Sequence, residues 1–317
     1  MSFVTEYGLF FAKAFTILIV FLLALAGVIA LTRKSMDKIT IESINDELDS
    51  LQKDISKTVK KAKPRSLTRK EKRAKREQPC MYVIDFNGDI KASAASALQK
   101  VITAILLVAQ KKDEIVVRIE SPGGTVNGYG LCASQLQRIR DAGIYLTVCI
   151  DKVAASGGYL MAAVANQILA APFAIVGSIG VVAQMPNFHR WLKNHDVDVE
   201  LFTAGEYKRT VTVFGENSKK GKEKFKEDLE QIHTVFKHHV LRHRPNLNIK
   251  KVATGEHWLA IDALDYNLVD HIKTSDDYLT SKRDKFNIYE ISAPIKQPFL
   301  QKLIKPLTNM LNDRFNF

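Results

Sequence analysis

From Met81 onward the sequence alternates short apolar runs with longer amphipathic segments, and this alternation restricts the fold more than any other feature. Short apolar runs are typical of buried strands, whereas apolar residues spaced three and four apart are typical of helices. Strands that alternate with helices usually form a parallel sheet covered by helices, so we predict an α/β domain. The strands are predicted at 81–86, 114–120, 145–150, 167–171 and 197–203.

Helices are predicted between these strands and after them. A long amphipathic helix is expected at 219–243, with Phe225, Leu229, Ile232 and Phe236 on one face that packs on the domain or on a neighbouring subunit. The apolar stretch 161–182 contains Asn, Gln, Pro and Gly, so we assign it to the core rather than to a membrane span. The other helices are predicted at 92–109, 128–142, 158–166 and 186–195, with a helix and turn at 261–270.

The N-terminus carries an apolar run without charge at 14–31, which as a helix would measure about 27 Å. We predict a single membrane anchor at 1–32. A cleavable signal peptide is the alternative, because residues 24–26 read Ala-Leu-Ala, but the run continues past them. Lys13 precedes the run, whereas Arg33, Lys34 and Lys38 follow it. The positive-inside rule therefore favours a cytoplasmic position for the rest of the chain.

Charge separates the chain into further parts. Residues 33–79 are predicted to form a basic amphipathic stalk; its first 45 residues hold 15 basic and 8 acidic side chains, which is +7 of the net +12. This excess next to an apolar helix indicates an acidic lipid surface rather than nucleic acid as the partner. The catalytic domain is predicted at 80–290 and an amphipathic C-terminal tail at 291–317, for which we have no function.

Two residues suggest nucleophilic chemistry. Ser156 lies in an Ala-Ala-Ser-Gly-Gly turn that opens into an apolar helix, and Lys208 lies in a Gly-Glu-Tyr-Lys-Arg motif. A lysine becomes a base at neutral pH when burial lowers its pKa from about 10.4 to roughly 7–8. The predicted strand 197–203 would hold Lys208 rigidly. A serine needs such a base to become an effective nucleophile.

An oxyanion hole is predicted beside this serine. The Ser-Pro-Gly-Gly motif at 121–124 directly follows a predicted strand. Backbone N–H groups of Gly157 and of Gly123 or Gly124 would stabilise a tetrahedral intermediate, at roughly 3–4 kcal/mol each. A nucleophile, a base and an oxyanion hole are the parts that acyl transfer requires.

Other residues are alternative candidates for the nucleophile, the base and a metal site. Ser178, in Gly-Ser-Ile-Gly, is an alternative nucleophile, although it fits a backbone turn or the lining of the site better. Lys152 is an alternative base, and His189 is the first candidate for a Ser-His-Asp triad. His239 and His243 stand four apart but lack the glutamate of a His-Glu-x-x-His zinc site, so a solvated helix face is the default for them. Three scattered cysteines predict no disulfide framework, and we predict no cofactor or metal.

Five motifs in order resemble the signal peptide peptidase A family of membrane serine proteases, and within it the SohB type. Together they cover about residues 80–275, and the apolar N-terminus and basic stalk fit the same family. The motifs lie at 120–124, 151–159, 174–182, 205–209 and 253–258.

The resemblance implies a ClpP/crotonase-like spiral of βα units and a Ser156–Lys208 dyad. It also implies a bacterial inner-membrane enzyme, a ring-like homo-oligomer and peptide substrates such as residual signal peptides. Since the Ser156 and Lys208 segments are far apart in the chain, the dyad is expected to be completed between subunits. Two rival classes are a non-catalytic membrane scaffold with a vestigial site and a crotonase-like acyl-CoA enzyme, which would use acidic catalytic groups.

Overall fold

The computed structural model describes residues 2–32, 38–59 and 77–294, and it divides between Lys38 and Ile39 into two units. The first unit contains one helix, α1 (Ser2–Thr32). Within the described residues, no helix combines the length and the apolar character that crossing a membrane requires.

The second unit is built on a seven-stranded sheet. Six strands are parallel, and the first strand, β1, adds to one edge in the antiparallel direction. The strands are β1 (Thr40–Ser43), β2 (Cys80–Asn87), β3 (Glu114–Glu120), β4 (Tyr145–Ile150), β6 (Gln167–Ala170), β9 (His271–Ile272) and β10 (Asn287–Ser292). Their order across the sheet is β1-β10-β2-β3-β4-β6-β9.

A second, three-stranded sheet follows the order β5-β7-β8, in which β5 and β7 are parallel and β8 is antiparallel. A single bridge between Ser121 and Ala154 connects β5 to the end of β3. The small sheet therefore extends the structure at the carboxyl end of the large one. Its strands are β5 (Val153–Ala155), β7 (Ile175–Gly177) and β8 (His257–Leu259).

Helices cover both faces of the large sheet. Apolar residues of β3 such as Ile115, Val116 and Val117 are fully buried, as expected for a strand covered on both sides. The helices are α2 (Ile44–Val59), α3 (Ala95–Leu106), α4 (Val126–Asp141), α5 (Gly157–Ala162), α6 (His189–Lys193), α7 (Lys219–His243), α8 (Ile249–Val252), α9 (Ala260–Asp265) and α10 (Ser275–Lys282). One face of the sheet packs against α3, α4, α5 and the end of α7, and the other against α10 and the start of α2.

Within the predicted stalk the structure has a helix, α2, which lies against the large sheet. Asn45 is buried and donates to the carbonyls of Arg283 (2.9 Å) and Phe286 (3.2 Å), while its own oxygen accepts from Ile288 N–H at 2.6 Å. These contacts fix the first turn of α2 beside β10.

One element predicted after β7 is wrong, and another is shorter than predicted. Residues 197–203 form no strand, whereas the helix predicted at 186–195 is present as α6, His189–Lys193. The alternation of apolar and charged residues at 197–201 suits an extended edge, but no partner strand pairs with this segment among the described residues. By contrast, the four preceding strands and the core assignment of 161–182, which ends α5 and forms β6 and β7, are confirmed.

Three neighbouring parallel strands converge on one place. The carboxyl ends of β2, β3 and β4 lead respectively into the loop at 88–94, the Ser-Pro-Gly-Gly motif at 121–124, and β5 with Ser156. Because parallel strands end at the same edge of a sheet, these segments lie side by side, where α/β proteins commonly bind ligands.

Candidate active site

Ser156 stands at a sharp turn between β5 and α5. Its backbone has φ 50° and ψ −115°, a conformation that a residue with a side chain rarely adopts. Its N–H donates to the carbonyl of Gly177 at 2.8 Å, which fixes the turn, and the residue is half-buried. Such strain costs about 1–3 kcal/mol and concentrates at functional sites, as at the nucleophile of a strand–turn–helix elbow.

The glycine loop approaches this serine closely. Gly123 has φ +93°, and a Cβ built on it would lie 2.7 Å from the Cβ of Ser156. A Cβ on Gly124 would lie 2.2 Å from the carbonyl oxygen of Ile90. Both positions therefore require glycine, one for the approach to Ser156 and the other for the contact with the β2 loop.

The hydrogen bonds distinguish the three predicted oxyanion donors. The N–H of Gly123 donates to Ser121 Oγ at 3.1 Å, so it is already engaged. Within the described part of the chain, no hydrogen bond uses the N–H of Gly124 or of Gly157. Gly157 opens α5, where the first N–H groups of a helix have no partner inside the helix. Of the three predicted donors, those of Gly124 and Gly157 are therefore available.

Tyr129 lies beneath the site and was not singled out from the sequence. It is fully buried on α4, and its hydroxyl donates to the carbonyl of Asp89 at 2.8 Å and contacts Ser121 Oγ at 2.5 Å. Burial raises the pKa of Tyr129, partly offset by the Ser121 hydrogen bond, so the phenol stays protonated. In the sequence it resembles any core residue of an amphipathic helix, which is why the pattern gave no signal.

Lys208 occupies a different environment. It lies on the segment between α6 and α7, and its side chain is exposed. Its backbone N–H donates to Gly205 at 3.1 Å, and the neighbouring Glu206 forms an ion pair with Lys220 of α7. Among the described residues, Lys208 Nζ makes no hydrogen bond to Ser156. The structure of one chain thus brings Ser156, Gly123, Gly124 and Gly157 together without enclosing Lys208.

The alternative residues are placed as follows. Lys152 Nζ contacts both carboxylate oxygens of Glu120, at 3.0 and 3.1 Å, and is engaged there on the surface. Ser178 follows β7 with φ 52°, and its N–H donates to the Glu256 carbonyl, so it forms part of a turn. His189 begins α6.

The two histidines of α7 are not on a solvated face, and that expectation is wrong. His239 Nε2 lies 3.0 Å from the carbonyl of Leu160, and its ring centre is 4.8 Å from that of His243. Burial lowers the pKa of both, that of His243 to about 4. Across the described ranges, no three His, Cys, Asp or Glu side chains are grouped as metal ligands.

Comparison with known proteins gives a consistent family. The model of the peptidase family S49 N-terminal domain matches residues 2–136, and that of peptidase family S49 matches residues 138–288. A "Probable protease SohB" from Haemophilus influenzae is 46% identical, covering 94% of this chain and 91% of the relative. Two proteins from Buchnera aphidicola subspecies, also described as SohB proteases, are similar. That of Schlechtendalia chinensis is 43% identical, over 89% of this chain and 100% of the relative.

The second, a "Putative protease SohB" from the Baizongia pistaciae subspecies, is 42% identical and covers 100% of this chain and 99% of the relative. Identity above 40% over nearly the full length of several relatives leaves one assignment. The chain belongs to peptidase family S49, in the group of SohB proteases.

Proposed function

We propose that this chain is a membrane-associated serine endopeptidase in which Ser156 is the nucleophile and Lys208 the general base. The observation that carries the proposal is the strained Ser156 turn, packed against Gly123 and flanked by the free N–H groups of Gly124 and Gly157. We also propose that the parallel sheet with its small three-stranded extension is a ClpP/crotonase-like spiral, and that no cofactor takes part.

The proposed reaction proceeds through an acyl-enzyme. Ser156 Oγ bonds to the scissile carbonyl carbon while its proton passes to the neutral amine of Lys208, and the carbonyl π pair becomes the oxyanion. Gly124 and Gly157 donate to that oxyanion, which is worth roughly 3–4 kcal/mol per donor. When the C–N bond breaks, the leaving nitrogen takes the proton from Lys208. Water then hydrolyses the ester and restores Ser156.

We further propose that the site is completed in a ring-like homo-oligomer. A lysine acts as a base when it is shielded from water, and Lys208 is exposed in the single chain. Residues 182–208, which lead up to it, also expose large apolar side chains, among them Val182 (89%), Trp191 (59%) and Phe202 (87%). An apolar surface of this kind favours burial against a protein partner, and a second copy would cover both it and Lys208.

Mixed subunits test this assembly. When Ser156→Ala and Lys208→Ala chains are refolded or co-expressed together, activity should return in part, because some interfaces carry both intact residues. The measurement is peptide hydrolysis by the isolated mixed oligomer. If mixed oligomers form and stay inactive, the dyad lies within one chain.

The membrane association is proposed from α1 and its flanks. The side chains described between Tyr7 and Leu22 are exposed and mostly apolar, which suits contact with the bacterial inner membrane. The basic residues that follow the helix favour a catalytic domain on the cytoplasmic side of that membrane. Membrane-proximal polypeptides, including residual signal peptides, are then the proposed substrates.

Hydrolysis of a disordered polypeptide tests the function directly. The full chain, purified in detergent, should cut the polypeptide at internal bonds, and a stably folded protein should resist, because the site requires an extended backbone. Product masses identify the cleaved bonds. No internal cleavage by a well-folded, oligomeric preparation would refute the proposal.

A further inference from the structure

We propose that Tyr129, acting through Ser121, is a positioning residue that sets the geometry of the oxyanion hole; this inference rests on the proposed function. Both residues are fully buried, so neither is accessible to a substrate from solvent. They touch the two loops that supply the oxyanion donors. The pair would therefore act on transition-state stabilisation without contacting the substrate.

The hydrogen bonds form a chain with a defined direction. The Tyr129 hydroxyl donates its one proton to the carbonyl of Asp89 at 2.8 Å. At 2.5 Å, the Ser121 hydroxyl must therefore donate to the Tyr129 oxygen. Ser121 Oγ keeps its lone pairs for the N–H of Gly123, at 3.1 Å. The chain thus runs from Gly123 through Ser121 and Tyr129 to Asp89, and it engages the Gly123 N–H.

These hydrogen bonds determine which N–H of the glycine loop is free. The N–H of Gly123 is turned towards Ser121, so the next amide, that of Gly124, is the one that no hydrogen bond uses within the described part of the chain. The Asp89 end holds the loop whose Ile90 carbonyl accepts from Thr125 N–H at 2.8 Å. The segment carrying Gly124 is consequently fixed from both sides. Loss of these hydrogen bonds would let the peptide group between Gly123 and Gly124 rotate.

The ring of Tyr129 supports the other donor. A Cβ on Gly157 would lie only 2.4 Å from Tyr129 Cγ, so the ring packs directly against the Gly157 backbone. A Cβ on Gly88 would lie 2.5 Å from the Tyr129 hydroxyl oxygen and 2.6 Å from Ser121 Oγ. The backbone of Gly88 therefore closes the hydroxyl pair from the remaining side. One buried side chain thus supports both halves of the oxyanion hole.

Tyr129→Phe and Ser121→Ala test the proposal. Tyr129→Phe keeps the ring under Gly157 and removes the hydroxyl, while Ser121→Ala removes the acceptor of the Gly123 N–H. We expect kcat for peptide hydrolysis to fall about 10- to 100-fold in each, with KM unchanged, since misplacing an oxyanion donor costs less than losing it. Tyr159→Phe is the matched control, because that fully buried tyrosine donates to the Leu268 carbonyl at 2.8 Å, away from the glycine loop.

Affinity for a peptide aldehyde separates positioning from a merely structural role. Ser156 Oγ bonds to the aldehyde carbon, the carbonyl π pair becomes an oxyanion in the hole, and the serine proton passes to the base. The affinity should fall by the same factor as kcat in Tyr129→Phe and Ser121→Ala, and remain at the wild-type level in Tyr159→Phe.

Three results would overturn the inference: wild-type kcat in both variants, a change confined to KM or to Tm, or an equal loss in Tyr159→Phe. If one of the two variants fails to fold, the other decides. A folded wild-type chain that neither hydrolyses peptides nor binds the aldehyde would instead refute the proposed function itself.

Discussion

Replacing Ser156 by alanine is expected to reduce peptide hydrolysis by about 10⁴-fold or more, because loss of the nucleophile removes the covalent route. The fold should be retained, since the turn is fixed by backbone hydrogen bonds, from Ser156 N–H to Gly177 and from Leu160 N–H to Ser156. Ser134→Ala is the matched control: that hydroxyl is exposed on α4 and donates only to the Gly130 carbonyl. Retained hydrolysis in a folded Ser156→Ala chain would exclude this residue as the nucleophile.

A second substitution at the same position tests the strain. Glycine accepts φ 50° without the steric cost that any side chain meets there. Ser156→Gly should therefore be inactive yet more stable than Ser156→Ala, by about 1 kcal/mol. Denaturant unfolding of the two variants measures the difference. Equal stability would show that the turn is not strained.

Replacing Lys208 by arginine is expected to reduce turnover by about 10²- to 10⁴-fold, the usual contribution of a general base. Arginine keeps most of the length of the side chain, but its guanidinium stays protonated at any workable pH and cannot accept the Ser156 proton. A loss in this variant therefore indicates that turnover requires a neutral side chain at position 208.

The matched control for that substitution is Lys222→Arg, an exposed lysine of α7 close to the same segment. It should leave turnover unchanged. If Lys208→Arg keeps a tenth or more of wild-type turnover, the base lies elsewhere, and Lys152, now engaged by Glu120, becomes the next residue to test.

The sequence predicted the elements that depend on local patterns. The apolar runs of β2, β3, β4 and β6 are buried on both faces, so composition alone marks them. The pairing of β1 with β10 joins residues about 250 positions apart, Thr40 with Ser292, and neither strand has a strong apolar run. No local periodicity carries such a pairing.

The wrong strand prediction at 197–203 arises from a local pattern that has no partner strand among the described residues. Val197, Val199 and Leu201 alternate with acidic residues, as in a half-buried strand, but all three are exposed in the structure. An alternating pattern shows that a segment can pair as a strand, but it does not show whether a partner strand lies beside it. The proposed second copy would offer one.

In the site, too, features with a local sequence pattern were predictable, and contacts that depend on the tertiary structure were not. Ser156 and the glycines at 123, 124 and 157 were predictable because small residues cluster where strands end. That Tyr129 packs under Gly157 depends on how α4 lies against α5, and this contact connects residues 28 positions apart. That the Gly123 N–H turns towards Ser121 depends on the backbone conformation of the loop, which no motif records.

Trapping of the acyl-enzyme identifies the nucleophile. An activated peptide ester is turned over by the full chain, the reaction is quenched with acid within its first turnovers, and the acylated residue is mapped by mass spectrometry of the digested protein. We expect the acyl group on Ser156, and much slower acylation in Lys208→Arg at the same pH. An acyl group on another residue, Ser178 included, or undiminished ester turnover by Ser156→Ala, would contradict it.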